Sequence, residues 1–251
     1  MAENRPAAKV VTVIHKERLS KNILRLTVSG KELDQRFSWS TGCYVKLRIA
    51  NSSSDDTKPK VRTYTVRYHD PTEKTISIDF AIHQPAGPAT SWALDAEPGD
   101  SIELMGPSPL KMDLNTGDWY LFAADMAAIP AALSALESLP SETKGYALLE
   151  VTDAQDTPSL SSIPDGIEVQ WLIHPHPEKQ SDQQLEAIKK LRSLDGKVNI
   201  FVAGELGTIR KIKAYLNEES ELSVASAYIS SYWKIGAVDE EHKAAKRALA
   251  S

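Results

Sequence analysis

The chain has 251 residues and a mass of 27.6 kDa, which suffices for one large domain or two of modest size. With 41% hydrophobic and 25% charged residues, its composition excludes disordered and fibrous classes of protein. Residues 1–115 carry 16 Lys and Arg against 14 Asp and Glu, whereas residues 116–251 carry 13 against 20. This balance excludes the broad basic surface that nucleic-acid binding requires.

Neither membrane insertion nor secretion is expected from the sequence. The longest nearly apolar stretch, residues 119–136, contains Asp125 and Pro130, and no apolar signal core follows Met1. The single cysteine, Cys43, can form no internal disulfide and no cysteine-rich zinc site. We therefore expect a protein of a reducing compartment, most simply the cytoplasm.

Short runs that alternate apolar with polar residues fill the first half of the chain and predict strands. These runs are KVVTVIH, NILRLTV, GCYVKLRIA, VRTYTVRYH, KTISIDFAIH and DSIELMG. Turn clusters separate them at the spacing of an antiparallel barrel. We predict a six-stranded antiparallel barrel in residues 1–115, interrupted by one helix in PATSWALDAEPGD that Thr90 or Ser91 caps and Pro98-Gly99 ends.

The second half, residues 116–251, changes to an alternation of strands and helices. The predicted strands are DWYLFAA, YALLEVTD, IEVQWLIH, KVNIFVAG and VASAYISSYW. Apolar runs between amphipathic helices are typical of a parallel sheet that is covered on both faces. We predict a Rossmann-like α/β domain that ends in a charged helix, AVDEEHKAAKRALA.

An antiparallel barrel followed by a doubly wound domain is a combination with few common uses, and a flavin reductase is one of them. There the barrel holds the flavin, and the carboxyl ends of the parallel strands receive a second ligand. Fold alone does not fix the chemistry, so individual residues must support this interpretation.

The strand at residues 62–67, RTYTVR, carries the groups that a flavin needs. Arg62, Tyr64 and Val66 are predicted to share one face, and the intervening residues to share the other. The strand offers a cation for phosphates, an aromatic surface and hydroxyl donors. The alternative is a surface strand with ordinary cross-strand pairs.

The next informative segment runs from Asp79 to Trp92, where a strand leads through Gly87 to a helix start. Backbone N–H groups at such a helix start can bind an anion, and a pyrophosphate is a suitable ligand. The alternatives are simple helix capping and, for His83, a structural hydrogen bond.

Together these segments resemble the siderophore-interacting proteins, or ferric-siderophore reductases, of the ferredoxin-reductase-like superfamily. The resemblance covers nearly the whole chain and is carried by RTYTVR, IDFAIHQPAGPATSWA, PGDSIELMGP, VAGE and SYWKIGAVDEEHKAAK. It implies a barrel that binds FAD, an NAD(P)H-binding second domain and reduction of Fe(III) held by a siderophore.

The resemblance also implies residue roles. Arg62 is expected at the phosphates, Tyr64 on the flavin ring or ribityl chain, and Thr65 near the flavin N5. The other cofactor-binding residues that we expect are Thr63, Asp79, Phe80, His83, Gly87, Ala89, Thr90, Ser91, Asp125 and Trp233. No catalytic residue beyond the flavin is expected, because the cofactor carries the chemistry.

A ferric siderophore is often anionic, so an acidic protein needs local cations to attract it. We expect Lys46, Lys111 and Lys234 to bind the substrate, the alternative for each being a solvated surface lysine. No metal ion is expected in the protein itself, because the close pair His174 and His176 has no carboxylate or cysteine support.

One departure from the family's pattern concerns the electron donor. After the first strand of the second domain the family has Glu and Thr where this chain has Met126 and Ala127. NADH, NADPH and ferredoxin therefore stay open as donors. Two further functions also stay open, namely a general NAD(P)H:flavin or ferredoxin-linked reductase and a ferric-siderophore carrier without turnover.

Overall fold

The computed structural model describes residues 8–33, 42–50, 59–160 and 162–236. The chain divides into two compact units, Met1–Leu110 and Lys111–Ser251. The predicted charged helix at the C-terminus lies outside the described residues, as does most of the predicted loop at 51–60.

The first unit is built on an antiparallel sheet. Its elements are β1 (Lys9–Ser20), β2 (Ile23–Ser29), β3 (Tyr44–Ile49), β4 (Lys60–Thr65), β5 (Tyr68–Asp70), β6 (Thr75–Ala81), α1 (Pro88–Asp95) and β7 (Ser101–Ser108). The strand order is β4-β3-β7-β1-β2-β6-β5, and every pairing is antiparallel.

The core of this unit is built from the apolar side chains that alternate with polar ones along the strands. In the β2–β6 pair, Leu24 lies opposite Phe80 and Leu26 lies opposite Ile78, and all four side chains are buried. Residues directly opposite each other project to the same face of a sheet, so these pairs fill one interior. Residues between them project outward, as the predicted pattern requires.

The prediction of six strands is wrong by one, because the fourth run divides into β4 and β5. The Val66 N–H donates to the Cys43 carbonyl at 2.7 Å, and the next N–H, that of Arg67, donates to the Ser77 carbonyl at 2.8 Å. The chain thus leaves β3 and joins β6 within two residues. Since β4 and β5 are the two end strands, this step brings the ends of the sheet together as in a barrel.

The second unit contains a parallel sheet with helices between its strands. Its elements are β8 (Trp119–Ala124), α2 (Ile129–Leu136), β9 (Lys144–Val151), a 3₁₀ turn (Ala154–Asp156), β10 (Gly166–Ile173), α3 (Gln183–Lys190), β11 (Val198–Glu205), α4 (Leu206–Glu218) and β12 (Val224–Trp233). The strand order is β10-β9-β8-β11-β12, with all pairs parallel.

Both faces of the central strands are covered. On one face, Leu121 and Val202 pack in a cluster with Ile209 of α4. On the other face, the rings of Phe122 and Phe201 lie 5.6 Å apart. This arrangement confirms the parallel sheet that the continuous apolar runs predict.

The strand order has a switch point between β8 and β11. The chain runs outward from β8 through β9 to β10, and it then returns to the other side of β8 to form β11 and β12. In open α/β sheets the crevice at the carboxyl ends of the strands at such a point is where ligands bind. Asp125 follows β8 and Glu205 ends β11, so both lie at this crevice.

Candidate functional site

Tyr64 on β4 is held against the core of the first unit. Its ring centroid lies 4.5 Å from that of Phe80, and Phe80 is in turn 6.2 Å from the ring of Trp92 on α1. Burial raises the pKa of Tyr64 to about 12, although the charge of Arg62 and a hydrogen bond with Thr90 lower it. The phenol is therefore neutral at physiological pH and keeps its proton as a hydrogen-bond donor.

The α1 helix begins in a way that suits an anion. Gly87 is its N-cap residue, no side chain caps it, and Pro88, which has no N–H, stands at the first helical position. The N–H groups of the first turn therefore point out of the helix without a side-chain acceptor. This donor set fits the pyrophosphate of a dinucleotide cofactor.

The prediction that Thr90 or Ser91 caps α1 is wrong. Thr90 lies inside the first turn and is 3% exposed, and its hydroxyl bonds Tyr64 and lies 3.5 Å from Nε2 of His83. Tyr64, Thr90 and the exposed His83 thus form one hydrogen-bonded group beside the helix start. Ala89 is buried in the same turn, and Ser91 is half-buried.

Asp79 and Phe80 project to opposite faces of β6. Asp79 accepts two hydrogen bonds from Arg25, at 2.6 Å from Nε and 2.7 Å from Nη2, whereas Phe80 is 1% exposed. Asp79 is therefore neutralised by a bidentate ion pair on the outer face. Phe80 supports the ring of Tyr64 from within the core.

The register of β3 and β4 places Tyr64 and Lys46 on opposite faces of the sheet. Tyr64 lies opposite the buried Val45. Thr63 lies opposite Lys46, and Thr63 and Lys46 are both exposed. Lys46 and Thr63 therefore project to the face that Tyr64 does not share. The predicted face holding Arg62 and Tyr64 is confirmed, but Thr65, Val66 and Arg67 are all buried, because the chain changes partners there.

In the second unit, Asp125 joins the ends of three strands. Its Oδ2 accepts hydrogen bonds from Nε1 of Trp233 at 2.7 Å and from the Glu205 N–H at 2.8 Å. Its Oδ1 accepts from the Ala127 N–H at 3.0 Å. The carboxylate thus ties the end of β8 to the ends of β11 and β12.

Gly204 makes this approach possible. Its φ is +151°, and a Cβ built there would lie 2.5 Å from Oδ2 of Asp125. A side chain at this position would therefore push the carboxylate away from its donors.

The two carboxylate oxygens of Glu205 accept hydrogen bonds from two different segments of the backbone. Oε2 accepts the N–H groups of Gly207 and Thr208 at 2.5 and 3.0 Å, which caps α4. Oε1 accepts the Ile235 N–H at 3.2 Å. The N-terminus of α4 is thus occupied by the chain's own carboxylate, in contrast to that of α1.

Burial, together with the charge of Glu150, raises the pKa of Asp125 to about 7, although the hydrogen bonds from Trp233, Ala127 and Glu205 lower it. We predict that stability falls as the pH rises from about 5 to about 7, because the folded chain then binds more protons than the unfolded chain, whose Asp pKa is about 4. The slope from this group approaches about 1.4 kcal/mol per pH unit.

The test is urea unfolding of the wild-type protein and Asp125→Asn at several pH values across this range. Burial also raises the pKa of Glu150, which contributes the same sign in both proteins. The difference between the two slopes therefore reports on Asp125 together with its electrostatic interaction with Glu150. Parallel slopes would contradict the prediction.

Met126, for which the resemblance in sequence leads us to expect a glutamate, accepts two hydrogen bonds. Its sulfur accepts from the Thr152 N–H at 3.3 Å and from the Thr152 hydroxyl at 3.1 Å. A weak thioether acceptor thus takes the place that a carboxylate could fill at the end of β9. Ala127, the second departure, is exposed and contributes only its backbone N–H.

A cleft of about 310 Å³ opens at the carboxyl end of the second sheet. It is lined by Gln180, Glu205, Leu206, Gly207, Arg210, Lys234 and Ile235. Lys234 is half-buried here, whereas Lys111 is exposed near the start of this unit. Sequence reasoning gave no role to Arg210, Gln180 or Glu205, although the VAGE motif ends in Glu205.

Neither a metal-binding group nor a membrane span is found in the part of the chain that the structure describes. No three His, Cys, Asp or Glu side chains within it are placed to hold a metal ion. His176 instead lies 3.3 Å from the carboxylate of Glu178. No helix among these residues is long and apolar enough to cross a membrane.

The two units match two family models. Residues 48–110 match the siderophore-interacting FAD-binding domain, and residues 117–236 match the siderophore-interacting protein model. The ferric vibriobactin reductase ViuB of Vibrio cholerae is 30% identical over 93% of this chain and 92% of its own length.

Solved structures agree on the fold. The siderophore-interacting protein SipS of Aeromonas hydrophila superposes with a TM-score of 0.84 at 24% identity, covering 98% of each chain. Ferredoxin-NADP+ reductase of Plasmodium falciparum superposes with a TM-score of 0.63 at 14% identity, covering 90% of this chain and 96% of its own. The predicted ferredoxin-reductase-like fold is thus confirmed, and the chain belongs to the siderophore-interacting protein family.

Proposed function

We propose that this chain is an FAD-dependent reductase that releases iron from ferric siderophores. The observation that carries the proposal is the uncapped start of α1 beside Tyr64, Thr90 and His83, inside the segment that matches an FAD-binding domain. The relation to a ferric vibriobactin reductase over nearly the full length supports the substrate class.

The residues of the first unit fit a bound FAD. The first-turn N–H groups of α1 would hold the pyrophosphate, and Arg62 would add a positive charge. Tyr64 would present its ring and its neutral hydroxyl, because Phe80 and Trp92 fix the ring from behind. Thr65 is proposed near the flavin N5 and Ser91 at the pyrophosphate, whereas Thr63 and Asp79 project to the other faces of their strands and are not part of this contact.

When bound, FAD accepts a hydride and gives up single electrons. Reduction of Fe(III) to Fe(II) adds one electron and breaks no covalent bond of the chelate, so the chain needs no nucleophile. Fe(II) is the softer ion and is held less tightly by hard oxygen donors, so iron leaves the siderophore. The role of the chain is to bind and orient the FAD and to attract the ferric siderophore.

NAD(P)H is the proposed electron donor. The crevice at the switch point of the second sheet, where Asp125 fixes Trp233, is the place where such folds bind a nucleotide. The protein should be purified and its visible spectrum recorded under anaerobic conditions. We expect a yellow protein whose flavin absorbance NADH or NADPH bleaches. Bleaching by reduced ferredoxin alone would overturn the proposal that NAD(P)H is the electron donor. A colourless protein that binds no added FAD would overturn the proposed function.

Lys46 is proposed to attract the anionic substrate from the exposed face of β3. We predict that Lys46→Gln raises the Michaelis constant for an anionic ferric siderophore at low salt, because a long-range attraction is lost, and that the effect shrinks as salt screens the charge. Lys31→Gln, which changes an exposed lysine elsewhere in the same unit, is the control. Equal constants for all three proteins at low salt would remove Lys46 from the site.

A further inference from the structure

A β-bulge interrupts the regular alternation of β1 and turns a lysine towards the core side of the sheet. Val13 lies opposite the buried Val28 of β2. Lys16, three residues further on, lies opposite the buried Leu26, which is only two residues from Val28. The extra residue on β1 gives Lys16 the face that Val13 also occupies, whereas strict alternation would give that face to His15.

The ammonium group of Lys16 holds the C-terminal end of α1. Its Nζ donates to the carbonyl oxygens of Leu94 and Ala96, at 2.8 Å each, and to Oε1 of Glu97 at 3.1 Å. These three acceptors match the three protons of the ammonium. The Glu97 side chain is 71% exposed, whereas that of Lys16 is 22% exposed. An ion pair with such an exposed carboxylate contributes little, so the two carbonyl contacts are the main ones.

The sequence of α1 supplies no cation at this end. Residues 88–95, PATSWALD, contain no Lys, Arg or His. The last carbonyl groups of a helix have no partner within it and carry a partial negative charge, which a cation stabilises. A helix of eight residues is also too short to be stable by itself. Lys16 therefore provides, from β1, a contact that α1 lacks.

The other end of the same helix is the one that we propose for the pyrophosphate of FAD. Ala89, Thr90 and Ala93 are buried and hold α1 against the core, while Lys16 holds its last turn. The N–H groups of the first turn are about 12 Å away along the helix. Because α1 has only about two turns, a shift of the last turn also displaces the first.

We propose that Lys16 is a positioning residue for FAD. By fixing the end of α1 it keeps the first-turn N–H groups aligned with the pyrophosphate, and it acts through the helix rather than by touching the cofactor. It thereby contributes to the preference for FAD over a flavin that has no phosphate. The inference rests on the proposed function, since it concerns the cofactor of that reaction.

The test compares FAD with riboflavin, which has no phosphate, by calorimetric titration of the flavin-free protein. We expect Lys16→Met to weaken FAD binding about tenfold and riboflavin binding by less than about twofold, because only FAD uses the first turn of α1. Lys16→Gln, which loses the charge but keeps a donor, should show the same pattern and serves if the methionine variant does not fold. Glu97→Gln is the matched control, because it removes the ion pair and leaves both carbonyl contacts in place. It should leave both affinities unchanged.

The outcomes separate this inference from the proposed function. Tight FAD binding by the wild type and by both Lys16 variants would overturn the inference alone. Equal weakening of FAD and riboflavin would also overturn it, because a general loss of structure acts on both ligands. A wild-type protein that binds neither flavin would overturn the proposed function and this inference with it.

Discussion

Replacement of Arg62 by alanine is expected to weaken FAD binding by about 10- to 100-fold. Arg62 lies two residues before Tyr64 and shares its face of β4, and its charge already acts on that phenol. A charge-assisted hydrogen bond to a phosphate contributes about 1.5–3 kcal/mol, which corresponds to this range of affinity. The measurement is the FAD content after purification, followed by titration of the flavin-free variant with FAD.

Arg48→Ala is the matched control, because Arg48 lies on the adjacent strand β3 and its guanidinium pairs with Glu103 at 2.5 Å. It should retain the cofactor. Tyr64→Ala should weaken FAD less than Arg62→Ala does, yet it should alter the flavin spectrum. Full FAD occupancy in Arg62→Ala would show that the phosphates bind elsewhere.

Replacement of Gly204 by alanine is expected to destabilise the second unit by about 2–4 kcal/mol. The new Cβ would lie 2.5 Å from Oδ2 and 2.6 Å from Cγ of Asp125, at a φ of +151° that favours glycine. The Asp125 side chain cannot turn aside cheaply, because it accepts three hydrogen bonds. Chemical denaturation followed by tryptophan fluorescence measures the loss.

A displaced Asp125 would also release the indole of Trp233. The tryptophan fluorescence of the folded variant should therefore differ from that of the wild type at a denaturant concentration that leaves the wild type folded. Gly236→Ala is the control, because its φ of +69° is also strained but no atom lies within 4 Å of the added Cβ. If Gly204→Ala were no less stable than Gly236→Ala, the claim that the Asp125 carboxylate packs closely against Gly204 would be wrong.

The second sheet was predictable because its signal is local. Runs such as KVNIFVAG are apolar throughout, and β11 is buried along its whole length. Such runs identify a strand with both faces covered whatever its neighbours are. The division of β4 from β5 was not predictable in this way, since it depends on backbone hydrogen bonds to Cys43 and Ser77, which are remote in sequence.

The candidate site was predictable only in part, and for the same reason. The hydroxyl of Thr90 suggests a helix cap, but the fold turns it towards Tyr64 and His83. The contact between Asp125 and Trp233 joins residues 108 positions apart, so no local pattern reveals it. Lys46 lies on β3, which pairs with β4, but the face to which it projects follows from the register with Thr63, which the sequence does not state.

The most direct test of the proposed function is to count ferrous ions. The FAD-loaded protein is reduced under anaerobic conditions, freed of excess reductant and mixed with a ferric siderophore and a colorimetric ferrous chelator. Because each reduced FAD holds two electrons, we predict about two ferrous ions per flavin, together with return of the oxidised flavin spectrum. A flavin that stays reduced in the presence of the ferric siderophore, with no ferrous ion formed, would contradict the assignment of this chain as a ferric-siderophore reductase.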